Sequence, residues 1–119
     1  MNPQFEVQAD TVRTLLHEAV KNRTPVVLTY RGPSGWAMLK SRLAGLEGDG
    51  ELLVLELPEQ AGLDTSAPEI GQSISVSFRR GHRKHVFSSM VADDTKAGAN
   101  GREVRTIRVT WPEELCELQ

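Results

Sequence analysis

Apolar and polar residues alternate with a period of two along the second half of the chain, and this pattern limits the fold more than any other feature. The period is that of a β-strand with one buried face, because successive side chains of a strand point to opposite sides. It is clearest over residues 73–78, returns over 85–91 and recurs over 107–111 before Pro112. We therefore expect the apolar residues of the first run to lie in a core and its serines to face outward. The two sets are Ile74, Val76 and Phe78, and Ser73, Ser75 and Ser77.

One helix is predicted ahead of these strands, over about residues 10–22. Apolar residues recur there at the spacing of a single helix face. They are Val12, Leu15, Leu16, Ala19 and Val20. Asp10 is the expected N-cap, because its carboxylate can accept a hydrogen bond from a free backbone N–H of the first turn. Pro25 ends the helix, since a proline disfavours helical backbone in the residue before it.

Runs of aliphatic and β-branched residues predict further strands over 26–30, 36–43 and 52–57, separated by glycine-rich turns. Residues 58–70 are expected to form a crossover or a mobile lid, and residues 97–101 to join the last two strands. The predicted fold class is mainly β, a small split β-barrel of about six antiparallel strands with one N-terminal helix. The 119 residues fit a single domain, 1–119, with the barrel over about 25–112.

Charge and cysteine content favour a cytoplasmic protein. The net charge of −2 and the pI near 5.9 argue against bulk electrostatic binding to nucleic acid or to an anionic membrane. Cys116 is the single cysteine, so no internal disulfide can form and a reducing compartment is expected. No signal peptide or apolar stretch of membrane-spanning length is present, which predicts no membrane insertion.

The strongest local candidate for binding is the basic turn, residues 79–85, which concentrates cationic side chains in a net acidic chain. Arginine suits phosphate or carboxylate, so this turn could meet a dinucleotide, an RNA backbone or an acidic protein face. The alternative is a solvated hairpin tip whose charges discourage edge pairing. The candidate ligand- or partner-contact residues are Arg79, Arg80, His82 and Arg83.

The sequence predicts neither catalysis nor a metal site. His82 and His85 are three residues apart and Cys116 is distant, which falls short of the four close ligands of a zinc site. Ser88, Ser89 and Cys116 lack a neighbouring base and orienting group. We therefore expect no enzymatic activity, no bound metal and no cofactor.

The order of the predicted elements resembles the N-terminal domain of the flagellar-brake (YcgR-like) family of PilZ proteins, bacterial receptors for cyclic di-GMP. The similarity covers nearly the whole chain after about residue 25. It is carried by the strand over 26–30, by Leu52-Leu53-Val54-Leu55 before Pro58, by the run 71–78, and by the closing strand into Trp111-Pro112.

This resemblance implies a split barrel without flavin that is followed directly by a PilZ domain, whose arginines hold the dinucleotide. Trp111, Pro112 and Gln119 are the implied domain-junction residues. The PilZ domain expected after residue 119 is absent from the sequence, so the chain is expected to be either a stand-alone copy or a fragment cut at the domain junction. The implied partners are a PilZ domain, in cis or in trans, and flagellar motor proteins. Cyclic di-GMP is expected to bind only together with a PilZ domain.

Two stretches imitate the PilZ signatures without their order. Arg79 and Arg83 have the RxxxR spacing, while Asp64 and Ser66 resemble the start of D-x-S-x-x-G, although its glycine comes late, at Gly71. In the family the acidic element follows the arginines, and here it precedes them.

The predicted function is therefore a non-enzymatic regulatory module of a flagellar-brake-like cyclic di-GMP signalling protein. One alternative is a small nucleic-acid-binding β-barrel that uses the basic turn, against which the aromatic content of 5% and the acidic pI count. A flavin-binding split-barrel enzyme is the other alternative.

Overall fold

The computed structural model describes residues 4–57, 67–99 and 102–118, and within these ranges the chain forms one helix and an eight-stranded antiparallel sheet. The elements in chain order are β1 (Gln4–Glu6), α1 (Ala9–Lys21), β2 (Pro25–Gly32), β3 (Gly35–Glu47), β4 (Leu52–Leu57), β5 (Ser73–Arg80), β6 (Arg83–Ala99), β7 (Arg102–Thr110) and β8 (Leu115–Leu118).

Six of these strands close into a barrel, as the sequence predicted. Neighbouring strands follow the order β6, β5, β2, β3, β4 and β7, and β7 pairs with β6 to close the ring. The short strands β8 and β1 extend the sheet outside the ring, with β8 on β6 and β1 on β8. These two strands were not predicted, because three or four residues are too few to display an alternation.

The long strand β6 joins the ring to this extension. Its residues Lys84–Phe87 pair with β8, whereas the residues from Val91 onward pair with β7, beginning with an irregularity between Val91 and Asp93. Along its other edge, β6 pairs with β5 over its first half. One strand therefore changes partner along its length, from β8 outside the ring to β7 within it.

The core is aliphatic, and the predicted inward register of β5 is confirmed. Ile74, Val76 and Phe78 are at most 4% exposed, whereas Ser73 is exposed and Ser75 and Ser77 are half-buried. On α1 the predicted apolar face is also buried, with Val20 partly so. The helix packs against β3, and its buried side chains join the barrel core. The buried side chains of α1 are Val12, Leu15, Leu16 and Ala19.

Two local expectations change, and a third falls mostly outside the described residues. The N-cap of α1 is Gln8, which has extended backbone angles, and Asp10 lies inside the first turn, so the predicted Asp10 cap is wrong. Residues 97–99 and 102–104 pair as strands, so the hairpin between β6 and β7 is longer than expected, while Asn100 and Gly101 lie outside the described residues. Residues 58–66, most of the predicted crossover or lid, also lie outside them.

None of the helices in the described part of the chain combines the length and the apolar composition needed to cross a membrane.

Candidate functional site

The basic turn is the tip of the β5–β6 hairpin. Arg80 and Arg83 are the last cross-strand pair, and Gly81 and His82 form the two-residue connection. Gly81 has a φ of +63°, a left-handed conformation that glycine adopts without steric cost. The tight connection fixes the register of the hairpin, and the register decides which way each cation points.

Strand alternation divides the cations of the turn between two faces. Arg79 and Lys84 are cross-strand partners on the outer face of the barrel, in line with the outward Ser77 and Val86. Arg80 and Arg83 occupy the opposite face, in line with the buried Phe78 and His85. The cluster that looks uniform in sequence is therefore two separate pairs.

The pair on the inner side is held by carboxylates from other elements. Arg80 Nη2 lies 3.0 Å from Glu18 Oε2 of α1, and Arg83 Nη1 donates to Glu117 Oε1 of β8 at 3.1 Å. The two arginine side chains remain more than half exposed, so each pair contributes little to stability. Their effect is to attach the hairpin to α1 on one side and to β8 on the other.

His85 is not one of the exposed cations of the turn. It is 3% exposed, its ring stacks on Phe78, and its Nε2 lies 3.6 Å from Glu117 Oε1. Burial lowers the pKa of His85 below its ordinary value, and the positive charges of Arg80 and Arg83 add to that shift, while Glu117 opposes it. The expectation that His85 adds positive charge to the turn is therefore wrong, because the neutral imidazole is favoured.

The remaining cations of the turn face solvent. Arg79, His82 and Lys84 are exposed, and no ion pair to them is formed among the described residues. Arg79 and Lys84 border a groove of about 570 Å³ on the outer face, which also contacts Lys40 of β3. A partner that approached the hairpin from outside would meet this pair first.

Of the junction residues predicted from the resemblance, Trp111 and Pro112 lie in the segment between β7 and β8. Trp111 packs partly against the core, meets the His17 ring edge-on at 6.2 Å, and its backbone N–H donates to Glu51 O at 2.9 Å. Pro112 is buried, and Gln119 lies outside the described residues. A cleft of about 750 Å³ lies beside Trp111, between this segment and the outer side of β6.

Strand β8 brings the last described residue next to the basic turn. Leu118 is the cross-strand partner of Lys84, and Glu117 is that of His85. Sequence reasoning missed this relation because it missed β8. Any segment that continued from β8 would leave the barrel beside the basic turn, whereas Trp111 lies beside Ser89 and Met90, farther along β6.

The polar residues considered for chemistry form no group of three or more that could hold a metal ion in the described ranges. His82 is exposed at the tip, His85 is buried, and Cys116 pairs across from Val86. Asp94 instead accepts a hydrogen bond from Arg105 Nε at 3.1 Å. Asp64 and Ser66, the acidic part of the PilZ-like signature, lie outside the described residues.

The face of the turn also lacks the stacking surface of a nucleic-acid site. Phe78 and Phe87, the aromatic residues nearest the cations, are 4% and 2% exposed and belong to the core. The exposed Trp36 lies next to the turn that joins β2 and β3. Pro25 and Arg42 are paired at the other end of these two strands, which is the end near Arg79. Single-strand binding barrels align aromatic rings with a positive groove, and the described part of the turn does not.

No known protein-family profile matches the sequence, and no curated protein matches it. Among solved structures, the fold is similar to MrkH of K. pneumonia, solved as a complex with c-di-GMP, with a TM-score of 0.72 at 11% identity. That similarity covers 100% of this chain and 45% of the MrkH chain, so this chain spans under half the length of MrkH.

The YcgR-N domain of YcgR from Escherichia coli is similar at a TM-score of 0.65 and 20% identity, over 95% of this chain and 94% of that domain. Because the two similarities cover 100% and 95% of this chain, they establish its fold. The chain has the fold of a YcgR-N-like domain, as the order of its predicted elements indicated.

Proposed function

We propose that this chain is a non-enzymatic regulatory module of cyclic di-GMP signalling that packs against a PilZ domain and contacts the flagellar motility machinery in the cytoplasm. The observation that carries the proposal is the similarity over 95–100% of the chain to two domains, one from a protein solved with c-di-GMP and one from YcgR. A single free cysteine suits the reducing cytoplasm.

The basic turn is the proposed contact surface for the PilZ domain, through Arg79, Arg80, His82 and Arg83. Its position supports this assignment, because β8 ends opposite Lys84 and a following domain would start beside the turn. Trp111, Pro112 and Gln119 are the proposed junction. A PilZ domain in trans would use the same surface.

The absence of enzymatic activity is part of the proposal. In the described ranges the carboxylates nearest to basic groups serve as ion-pair partners, as with Glu18 and Arg80 or Asp94 and Arg105.

Association with a PilZ domain is tested by titrating the chain with the isolated PilZ domain of E. coli YcgR, with and without cyclic di-GMP, in sedimentation velocity. We expect a one-to-one complex whose affinity falls at least ten-fold in the Arg79→Ser, Arg80→Ser, Arg83→Ser variant. The association rate of this variant should be lower, and its affinity should depend less on salt concentration. The matched control is Arg13→Ser with Arg31→Ser, which removes exposed cations on α1 and at the end of β2 that is distant from the turn. No complex at 100 µM of each component, or equal affinity in both variants, would contradict the proposal.

The motility role is tested separately with a chimera in which this chain replaces the YcgR-N domain of E. coli YcgR. In a strain that lacks YcgR and holds high cyclic di-GMP, the chimera is expected to reduce spreading in soft agar, whereas the PilZ domain alone is not. A stable chimera that binds cyclic di-GMP but leaves spreading unchanged would contradict the proposed motility role. It would not contradict the proposed association with a PilZ domain.

A further inference from the structure

The outer face of four neighbouring strands carries basic side chains and no acidic ones. It comprises every second residue over 25–31 of β2, 36–42 of β3, 73–79 of β5 and 84–90 of β6. The basic residues are Arg31, Lys40, Arg42, Arg79 and Lys84, and the others are proline, serine, threonine, valine, methionine and tryptophan. In a chain with 16 acidic and 14 basic residues, this face is a separate positive surface.

A groove of about 570 Å³ lies at the centre of this face. Val27 is paired with Lys40 on one side and with Ser77 on the other, and Met38 of β3 projects next to them. Met38 is 69% exposed and Trp36, two residues before it, is 76% exposed. Large apolar side chains this exposed on neighbouring outward positions of a sheet mark an interaction surface more often than isolated ones do.

The cations that border the groove are not neutralised by any residue that the structure describes. Arg23, Arg80, Arg83, Arg105 and Arg108 each pair with a carboxylate. In contrast, no carboxylate of the described residues lies within ion-pair distance of Lys40, Arg79 or Lys84. The groove therefore combines an apolar floor with three positive charges that lack a described counter-charge.

We propose that this groove binds an acidic segment of a partner protein, with an apolar side chain seated on Val27 and Met38 and flanking carboxylates paired with Lys40, Arg79 and Lys84. The occupant follows from charge complementarity and from the apolar floor. A nucleic acid fits less well, because Phe78, the aromatic ring among the lining residues, is buried. The inference does not rest on the PilZ association, and it makes Lys40 a contact residue outside the basic turn.

The test is selection of a phage-displayed library of random 12-residue peptides on the immobilised chain, with counter-selection on the Lys40→Glu, Arg79→Glu, Lys84→Glu variant. We expect the enriched peptides to carry aspartate or glutamate on both sides of a large apolar residue. Synthetic copies, measured by fluorescence anisotropy, should bind the charge-reversed variant at least ten-fold more weakly than the wild type.

Two further variants locate the binding. Met38→Asp changes an exposed side chain and so leaves folding intact, and it should weaken the peptides by a similar factor. Arg80→Ser with Arg83→Ser, on the other side of the same hairpin, should change the affinity less than two-fold. Amide chemical shifts of Val27, Met38 and Ser77 should move on addition of peptide.

Four results would overturn the inference. Enrichment of peptides without acidic residues, or no enrichment, excludes the acidic segment as occupant. Peptide-induced shifts confined to residues outside the groove exclude the site. Tighter binding of a 15-nucleotide thymidine strand to the same residues would assign the groove to nucleic acid, and a dimer lost in the charge-reversed variant would assign it to a second copy of the chain.

Discussion

The imidazole ring of His85 stacks on the phenyl ring of Phe78, with ring centroids 5.2 Å apart and ring planes 23° from parallel. The two residues are cross-strand partners, two pairs inside the Arg80–Arg83 pair that ends the hairpin. His85 is thus enclosed by the core, although its neighbours in sequence are exposed cations. Its Nδ1 is buried without a hydrogen-bond partner, so a positive charge on the ring would be poorly solvated.

This contact predicts that the stability of the barrel falls in mild acid. Burial holds the folded pKa of His85 below its ordinary value of 6.5, so the unfolded chain takes up the proton first as the pH drops. The stabilising contribution is complete above that ordinary pKa and is lost progressively below it. Urea unfolding at pH 7.5, 6.5 and 5.5 should show a falling free energy of unfolding, with a smaller fall in His85→Phe.

The control for this pH dependence is His82→Gln, which removes an exposed histidine from the same turn. It should keep the slope of the wild type. The same slope in His85→Phe as in the wild type, or a stability that rises as the pH falls, would show that protonation of His85 does not oppose folding.

Removing the ring of Phe78, the other member of this stack, should lower the free energy of unfolding much more than a change on the outer face of β5. Phe78 is 4% exposed and also meets the Phe87 ring edge-on, with centroids 6.5 Å apart. Phe78→Ala is expected to lower the free energy of unfolding by about 3–5 kcal/mol. Ser75→Ala, on the outward side of the same strand, should change it by less than about 0.5 kcal/mol. Equal effects in chemical denaturation would mean that the register of β5 is wrong.

The period-two alternation that predicts a buried Phe78 on β5 also predicts, when it is applied to β6, that His85 is buried. Residues 85, 87, 89 and 91 share the inward side of β6, so the same period-two argument assigns His85 to the core. The sequence-based interpretation grouped it with the turn by charge instead. For the same reason the division of Arg79 from Arg80 was predictable from the two-residue turn, which fixes the cross-strand pairs.

Other features depended on contacts distant in sequence and could not be predicted. Glu18 and Glu117 reach the hairpin from α1 and β8, so no local pattern identifies them as partners of Arg80 and Arg83. Strand β8 exists because Leu115 is fully buried and β6 offers it an edge, which a four-residue segment cannot reveal. The fold itself was predictable because its long strands alternate regularly.

A buried serine should stabilise the point where β6 changes partner. Ser89 is 7% exposed, and its Oγ donates to Thr110 O at 2.6 Å, which ties β6 to the end of β7. We expect Ser89→Ala to lower the free energy of unfolding by about 0.5–1.5 kcal/mol, the net value of one such bond. The neighbouring Ser88 is exposed, so Ser88→Ala should have an effect below about 0.5 kcal/mol. Urea denaturation that ranks the two variants in the opposite order would refute this role.

The link between the hairpin and the helix should be measurable but small. A double-mutant cycle with Arg80→Ala and Glu18→Ala is expected to give a coupling energy of about 0.2–1 kcal/mol, the range of exposed ion pairs, and to shrink in 0.5 M salt. A cycle with Arg79→Ala and Glu18→Ala should give no coupling beyond error, since Arg79 faces the other side of β5. Comparable coupling in both cycles would mean that the turn acts as one diffuse charge.

The chain alone is expected not to bind cyclic di-GMP. Arg79 and Arg83 have the spacing of the PilZ arginines, but alternation sends them to opposite faces of the hairpin, and Arg83 is engaged by Glu117. A dinucleotide would therefore meet one of these arginines and not both. Isothermal titration calorimetry at 50 µM protein should show no saturable heat. Saturable binding that disappears in the Arg79→Ala, Arg83→Ala variant, but persists in Arg31→Ala, would show that the turn grips the dinucleotide without a PilZ domain.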